Sequence, residues 1–179
     1  MGCVYFVRHG QTTWNVLNRI CGATDIPLTE LGRRQAVETG ENILREGIRA
    51  DEILCSPLQR AEDTARQISE VTGIPYRTEP RLIEQCMGQW ETTARDAQAF
   101  KESKKEFCRR SGGTGETPMR VAQRIYNLLD EICAQPDRTY ILVSHNGIAR
   151  VVNSYFHEMT NDEYASFGVK NCAVVRYDF

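Results

Sequence analysis

Arg8-His9-Gly10 and Ser144-His145-Asn146-Gly147 each place an imidazole close to a glycine, and Arg60 adds a second guanidinium to Arg8. Those side chains together suit a phosphate group. Guanidinium forks match its oxygens in bidentate fashion, and a neutral histidine nitrogen is a competent nucleophile toward phosphorus. The nucleophile needs one ring nitrogen free while the other donates, most simply to a backbone carbonyl. A proton donor for the leaving oxygen completes the chemistry, and a partly buried carboxylic acid with a raised pKa would serve. No metal or other cofactor is called for, because the cations neutralise the developing charge. A single His is more often structural, but two at matching positions beside glycines argue for a shared site.

The elements around these residues explain how they could meet. Val4-Tyr5-Phe6-Val7 is a continuous apolar run that stops at Arg8-His9-Gly10, as a strand buried on both faces of a parallel sheet does. Tyr140–Val143 repeats the pattern before His145, and Ile53–Cys55 is a shorter copy. After it, Ser56 is expected as an N-cap and Pro57 as the first helical position. Arg60, one turn in, leans back toward the strand end. Ligands of open α/β sheets bind beyond the carboxyl ends of the strands, so Arg8, His9, Arg60 and His145 are expected to converge there.

The remaining chain alternates in the same way. Thr12 or Thr13 caps a short turn holding Asn15, whose amide either returns to the anion or sits on the surface. Residues 22–27 form a loop, and Thr29 opens a helix that ends near Gly47. Further helices are expected over 57–71, closed by Gly73, from Thr117-Pro118 to Pro136, and over 147–156. Short strands fall at 74–78 and 173–177. One α/β domain over residues 1–179 is the expectation. The charge run at 94–110 reads as a solvated helix in preference to a cap lending a Lys or Arg to the substrate. Residues 111–116 lack the Gly-Lys-Ser/Thr of a phosphate-binding P-loop.

Composition narrows the partners. A net charge of −2 gives no bulk attraction for nucleic acid, and no apolar run reaches the ~20 residues of a membrane span. Met1-Gly2-Cys3 leads straight into the first strand, so no signal peptide is expected, and Phe6 stands where a myristoylation pattern wants Ser or Thr. Seven cysteines with no CxxC pair point to reduced thiols in the cytoplasm and away from a zinc site. Cys21 and Cys86 flank candidate site segments.

Arg8-His9-Gly10-Gln11-Thr12 with Asn15 resembles the signature of the histidine phosphatase superfamily, which includes cofactor-dependent phosphoglycerate mutases. Further stretches are similar to that family in the same order. They are Asp25-Ile26-Pro27-Leu28-Thr29 with Gly32 and Gln35-Ala36, Ser56-Pro57 with Arg60 and Thr64-Ala65, and Leu82 and Glu84 with Gly88 and Trp90-Glu91. Gly115-Glu116-Thr117 and Val143-Ser144-His145 complete the series. The resemblance implies a phosphoglycerate mutase-like fold, a three-layer α/β/α sandwich on a mostly parallel sheet, with residues of about 85–115 as an insertion capping the site. It implies that His9 is the nucleophile and that Arg8, Arg60 and His145 bind the transferring phosphoryl group. Asn15, Gln11, Thr12 and the backbone N–H of Asn146 would add to that pocket, and Cys21-Gly22 would line the substrate side. Glu84 would protonate the leaving group and then deprotonate water, a role that only the resemblance assigns. Gln11 stands where Glu is common, Asn146 where Gly is frequent, and Thr92 where Gly is usual.

Mutases of this family carry a longer insertion between the acidic residue and the second His, with further basic residues gripping the substrate. Here the segment 85–144 is short and shows no such pattern. A compact phosphatase acting on a small phosphorylated metabolite is therefore expected, with a mutase as the alternative. A non-catalytic phospho-ligand binder would be expected to have lost one of the catalytic set.

Overall fold

A computed structural model of the chain describes residues 2–179; Met1, the first residue of the expected domain, lies outside them. Strands β1 (Cys3–Arg8), β2 (Glu52–Cys55), β3 (Tyr76–Thr78), β4 (Tyr140–Ser144) and β5 (Val174–Asp178) form one sheet in the order β3-β2-β4-β1-β5. Neighbours are parallel except β5, which runs antiparallel to β1. β4 therefore lies between β1 and β2, and all three carboxyl ends share one edge.

Side chains alternate across each strand, and both faces are apolar. Val4, Phe6, Tyr140 and Leu142 face one core, closed by α5 (Pro118–Cys133) and α6 (Asn146–Phe156). Tyr5, Val7, Ile141 and Val143 face the other, closed by α2 (Glu30–Arg45) and α3 (Gln59–Thr72). Continuous apolar runs in β1 and β4 thus become two cores, and the fold is an α/β/α sandwich. Each fully buried Val, Leu, Ile or Phe contributes roughly 1.5–3 kcal/mol.

Helix ends follow the expected chemistry in most places. The Thr29 side chain accepts the Gly32 N–H at 3.0 Å to start α2, and Thr117 caps α5 with Pro118 in its first turn. Gly73, at φ +75°, closes α3 in the left-handed region. α3 differs at its start: it begins at Gln59, with Leu58 at the N-cap and no side-chain cap from Ser56. The Gln59 N–H donates to Asp25 Oδ1 at 2.8 Å, while the Ser56 hydroxyl meets His145 at 2.7 Å. Ser56 keeps one local bond, accepting the Leu58 N–H at 3.3 Å, and adds this tertiary partner. The short helix α1 (Thr13–Val16) is capped by Thr12.

The charge run at 94–110 is helical only over α4 (Gln98–Ser103). Phe100 is buried with Ile20 and Met87, and Trp90 and Ala97 pack against them. That small cluster ties the segment 87–100 to the loop after α1, so Arg95 and Lys104 are half-buried while Lys101, Arg109 and Arg110 remain exposed. Thr92 sits here at φ +69°, a conformation that a β-branched residue adopts only under strain. α7 (Asn161–Ser166) was not expected, although Thr160 and Glu163 form a capping box that marks its start. Among the described residues, no helix is long and apolar enough to cross a membrane.

Candidate active site

β1 and β4 pair in register Arg8↔Ser144, and the His9 N–H donates to Ser144 O at 2.9 Å. His9 and His145 therefore emerge side by side, with ring centroids 5.2 Å apart. His9 and Glu84 are each 5% exposed, whereas Arg60 and His145, at 1% and 0%, lie deeper. Arg8, His9, Asn15, Cys21, Glu84 and Asn146 line one small cavity of about 50 Å³.

His9 Nδ1 lies 2.7 Å from Gly10 O. A carbonyl only accepts, so Nδ1 carries the hydrogen and Nε2 of the neutral ring has a free lone pair. Burial holds the pKa of His9 well below its usual value, and the nearby Arg60 and Arg8 charges push it the same way. His145 is shifted likewise, again chiefly by burial and then by Arg60. Its Nε2 meets the Ser56 hydroxyl, leaving Nδ1 buried without a partner.

Two close approaches set this geometry. The Gly10 N–H donates to Thr64 Oγ1, and a Cβ on Gly10 would come within 2.4 Å of Gly32 O in the first turn of α2. Only glycine lets the turn after His9 lie on that helix. Gly147 does the same for the acid: its N–H donates to Glu84 Oε2 at 3.0 Å, and a Cβ there would meet Oε1 at 2.3 Å. Glu84 Oε1 accepts the Gln85 N–H at 2.8 Å, so each carboxylate oxygen is held by one backbone donor.

The guanidiniums are anchored by carbonyls. Arg8 Nη1 donates to Val169 O at 2.7 Å, and Arg60 donates to Thr24 O and Gly22 O at 2.8 and 2.7 Å. Arg8 Nε and Arg60 Nε are buried and unpartnered. Burial draws the pKa of Arg8 down to about 10. Buried polar groups ordinarily find partners, so three orphan nitrogens (counting His145 Nδ1) mark a place that lacks an acceptor.

Some expected residues serve differently. Gln11 does not line the cavity: its Oε1 accepts the Thr29 hydroxyl, and its backbone oxygen accepts the Thr29 N–H. Thr12 is buried and caps α1. Gly22 contributes only its backbone, accepting Arg60 and donating to Glu91. Cys21 lines the cavity, but burial pushes its thiol up to about 11, away from a reactive thiolate.

Three cations missed by the sequence reading also line the cavity: Arg95, Lys104 and Arg150. The segment 85–144, whose sequence shows no basic pattern of the mutase kind, nevertheless supplies Arg95 and Lys104 to the lining, turned inward around the buried Phe100. Arg150 was detectable, since it lies four residues from Asn146 on one helical face. Burial lowers the pKa of all three, Lys104 to about 8. Glu84 is the single acidic residue in the lining, and among the described residues none of Arg8, Arg60, Arg95, Lys104 or Arg150 forms an ion pair with a carboxylate. Asn171, also missed, donates to His9 O and Asn15 Oδ1.

Known proteins share this arrangement of chain. A probable phosphoglycerate mutase of Yersinia pestis is 32% identical over 183 residues, spanning 98% of this chain and 84% of the relative. A mycobacterial glucosyl-3-phosphoglycerate phosphatase, solved with VO3, superposes with a TM-score of 0.85 at 29% identity, covering 98% of this chain and 90% of that one. A mutant phosphoserine phosphatase from Entamoeba histolytica, solved with phosphoserine, gives 0.84 at 27% identity, covering 100% and 91%. The model of the histidine phosphatase superfamily (branch 1) matches residues 4–179, and the chain belongs to that family.

Proposed function

We propose that this protein is a metal-independent phosphatase that hydrolyses a small phosphomonoester through a phosphohistidine on His9. The observation that carries the reading is a neutral His9, tied at Nδ1 to Gly10 O, beside unpartnered nitrogens of Arg8, Arg60 and His145. His9 Nε2 attacks phosphorus, the P–N bond forms as the ester P–O bond breaks, and Glu84 gives its proton to the departing oxygen. Water then attacks the phosphohistidine. Its proton passes to Glu84, the P–N bond breaks, and inorganic phosphate leaves with His9 restored.

Arg8, Arg60 and His145 stabilise the charge that spreads over the equatorial oxygens, helped by Asn15 and the N–H of Asn146 at the start of α6. With the Ser56 hydroxyl, which accepts the Leu58 N–H, donating to His145 Nε2, the unpartnered Nδ1 would bear the hydrogen offered to the anion. Arg95, Lys104 and Arg150 exceed what one phosphate needs. They favour an ester carrying a second anionic group, and the relatives' substrates, phosphoserine and glucosyl-3-phosphoglycerate, carry one.

The same three cations, with the name of the Yersinia relative, favour a mutase as the second reading. Both readings share the phosphohistidine and differ in what accepts the phosphoryl group. Phosphate release from p-nitrophenyl phosphate, phosphoserine and 3-phosphoglycerate, measured with EDTA present, separates them. Hydrolysis without formation of 2-phosphoglycerate is expected; interconversion primed by 2,3-bisphosphoglycerate would make it a mutase. His9→Ala is expected to abolish turnover with the fold intact, and full activity in that variant would refute the mechanism.

A further inference from the structure

The chain from the last turn of α7 to β5 touches the cavity residues repeatedly. Ala165 O accepts Lys104 at 3.5 Å, Phe167 O accepts Arg150 at 3.1 Å, and Val169 O accepts Arg8 at 2.7 Å. The Val169 N–H donates to Asn146 Oδ1 at 2.8 Å. Two residues on, Asn171 Nδ2 donates to His9 O at 2.8 Å and to Asn15 Oδ1 at 3.3 Å. The Cys172 N–H donates to Arg8 O, and Thr39 holds the Cys172 carbonyl. One short stretch of backbone thus fixes cations drawn from β1, the segment after α4, and α6.

We infer that Asn171 is a positioning residue that aims the Asn15 amide at the phosphoryl group, an assignment that rests on the phosphatase reading. Asn15 Oδ1 accepts three donors: the Thr12 N–H, the Thr12 hydroxyl and Asn171 Nδ2. With its oxygen so held, Asn15 presents its Nδ2 to the cavity that it lines. The second hydrogen of Asn171 Nδ2 binds the carbonyl of His9, so the nucleophile and the amide donor share one anchor. Without Asn171 the amide keeps the Thr12 contacts but loses the bond that ties it to the His9 backbone.

The test compares wild type, Asn171→Ala, the isosteric Asn171→Asp, Asn15→Ala and the Asn15→Ala/Asn171→Ala double variant. Calorimetric titration with inorganic phosphate and steady-state hydrolysis of p-nitrophenyl phosphate are run on each. Loss of a well-aimed donor to an anion is expected to weaken phosphate binding about 10-fold. Asn171→Asp, whose carboxylate repels Asn15 Oδ1 and His9 O, should lose at least as much. In phosphate affinity the double variant should be no worse than Asn15→Ala alone, because the Asn15 amide is the donor that both changes take from the anion; any further loss confined to hydrolysis reports the Asn171 contact with His9 O. A purely structural role would lower Tm and leave phosphate affinity of the folded protein unchanged. Unchanged phosphate affinity in both Asn171 variants, or affinity losses that add to that of Asn15→Ala, would overturn the assignment alone. A wild type that neither binds phosphate nor turns over any ester would overturn the phosphatase reading and this assignment with it.

Discussion

Glu84→Gln tests the proposed acid step, provided the first step is read apart from the second. Both Glu84 oxygens accept backbone donors, Gln85 N–H at 2.8 Å and Gly147 N–H at 3.0 Å. A glutamine offers one acceptor, so one N–H faces an NH2 group, at a cost of roughly 1–3 kcal/mol. For a chain of this size that lowers Tm by roughly 2–12 °C, and a typical stability of about 5–15 kcal/mol exceeds the loss. The variant therefore stays folded at 25 °C. An alkyl phosphate, whose leaving oxygen must be protonated, should lose about 10²- to 10⁴-fold in kcat, equal to about 3–5 kcal/mol of barrier. With p-nitrophenyl phosphate the leaving group departs as a stable anion, and the first step should lose little. The assay is the single-turnover rate of phosphohistidine formation from each ester, which excludes the later step in which Glu84 takes the proton of water, with Tm followed in parallel. Equal losses on the two esters, or an unaffected alkyl ester, would refute the assignment of Glu84 as acid.

Two further outcomes follow from the cavity and its rim. Lys104, with its pKa drawn down to about 8, is charged below that pH and neutral above it, so KM for a phosphoester with a carboxylate should rise above about pH 8 while KM for p-nitrophenyl phosphate rises much less. A parallel rise for both would remove Lys104 from the proposed second anion subsite. Thr92→Gly should relieve the strain at φ +69° and raise stability by about 1 kcal/mol, read as a higher Tm; a lower Tm would show that Thr92 packing outweighs the backbone term.

Much of the frame was legible because local chemistry and tertiary structure agree. Apolar runs that stop at Arg8 and Ser144 became interior strands, and Thr29, Thr117 and Gly73 cap or close their helices as their types dictate. Ser56 shows where the agreement ends: α3 starts two residues later than its type suggests, and besides the Leu58 N–H its hydroxyl meets His145, a residue distant in sequence. Arg95, Lys104 and Asn171 were illegible for the same reason. Nothing in a charge run says which Lys turns inward; the burial of Phe100 decides it. Glu84 reached the site reading only through resemblance, since the Gly147 contact that holds it has no local signature.

The strand order also governs how the chain comes to its native state. β4 is made long after β1 and β2, yet it must slot between them, with Val4 opposite Tyr140 and Glu52 opposite the same residue. Bringing such distant segments together costs loop entropy before any contact rewards it, which slows folding. Until β4 docks, β1 and β2 each present an unpaired edge, and such edges promote aggregation. His145, Asn146 and Asn171 arrive with or after that strand, so no early piece of the chain holds a complete anion pocket. An anion bound there recognises only the finished fold. By mass action it would stabilise that fold by about 2.7 kcal/mol at 100 times its Kd, and the phosphate content of the surroundings would then set how often the central strand lets go.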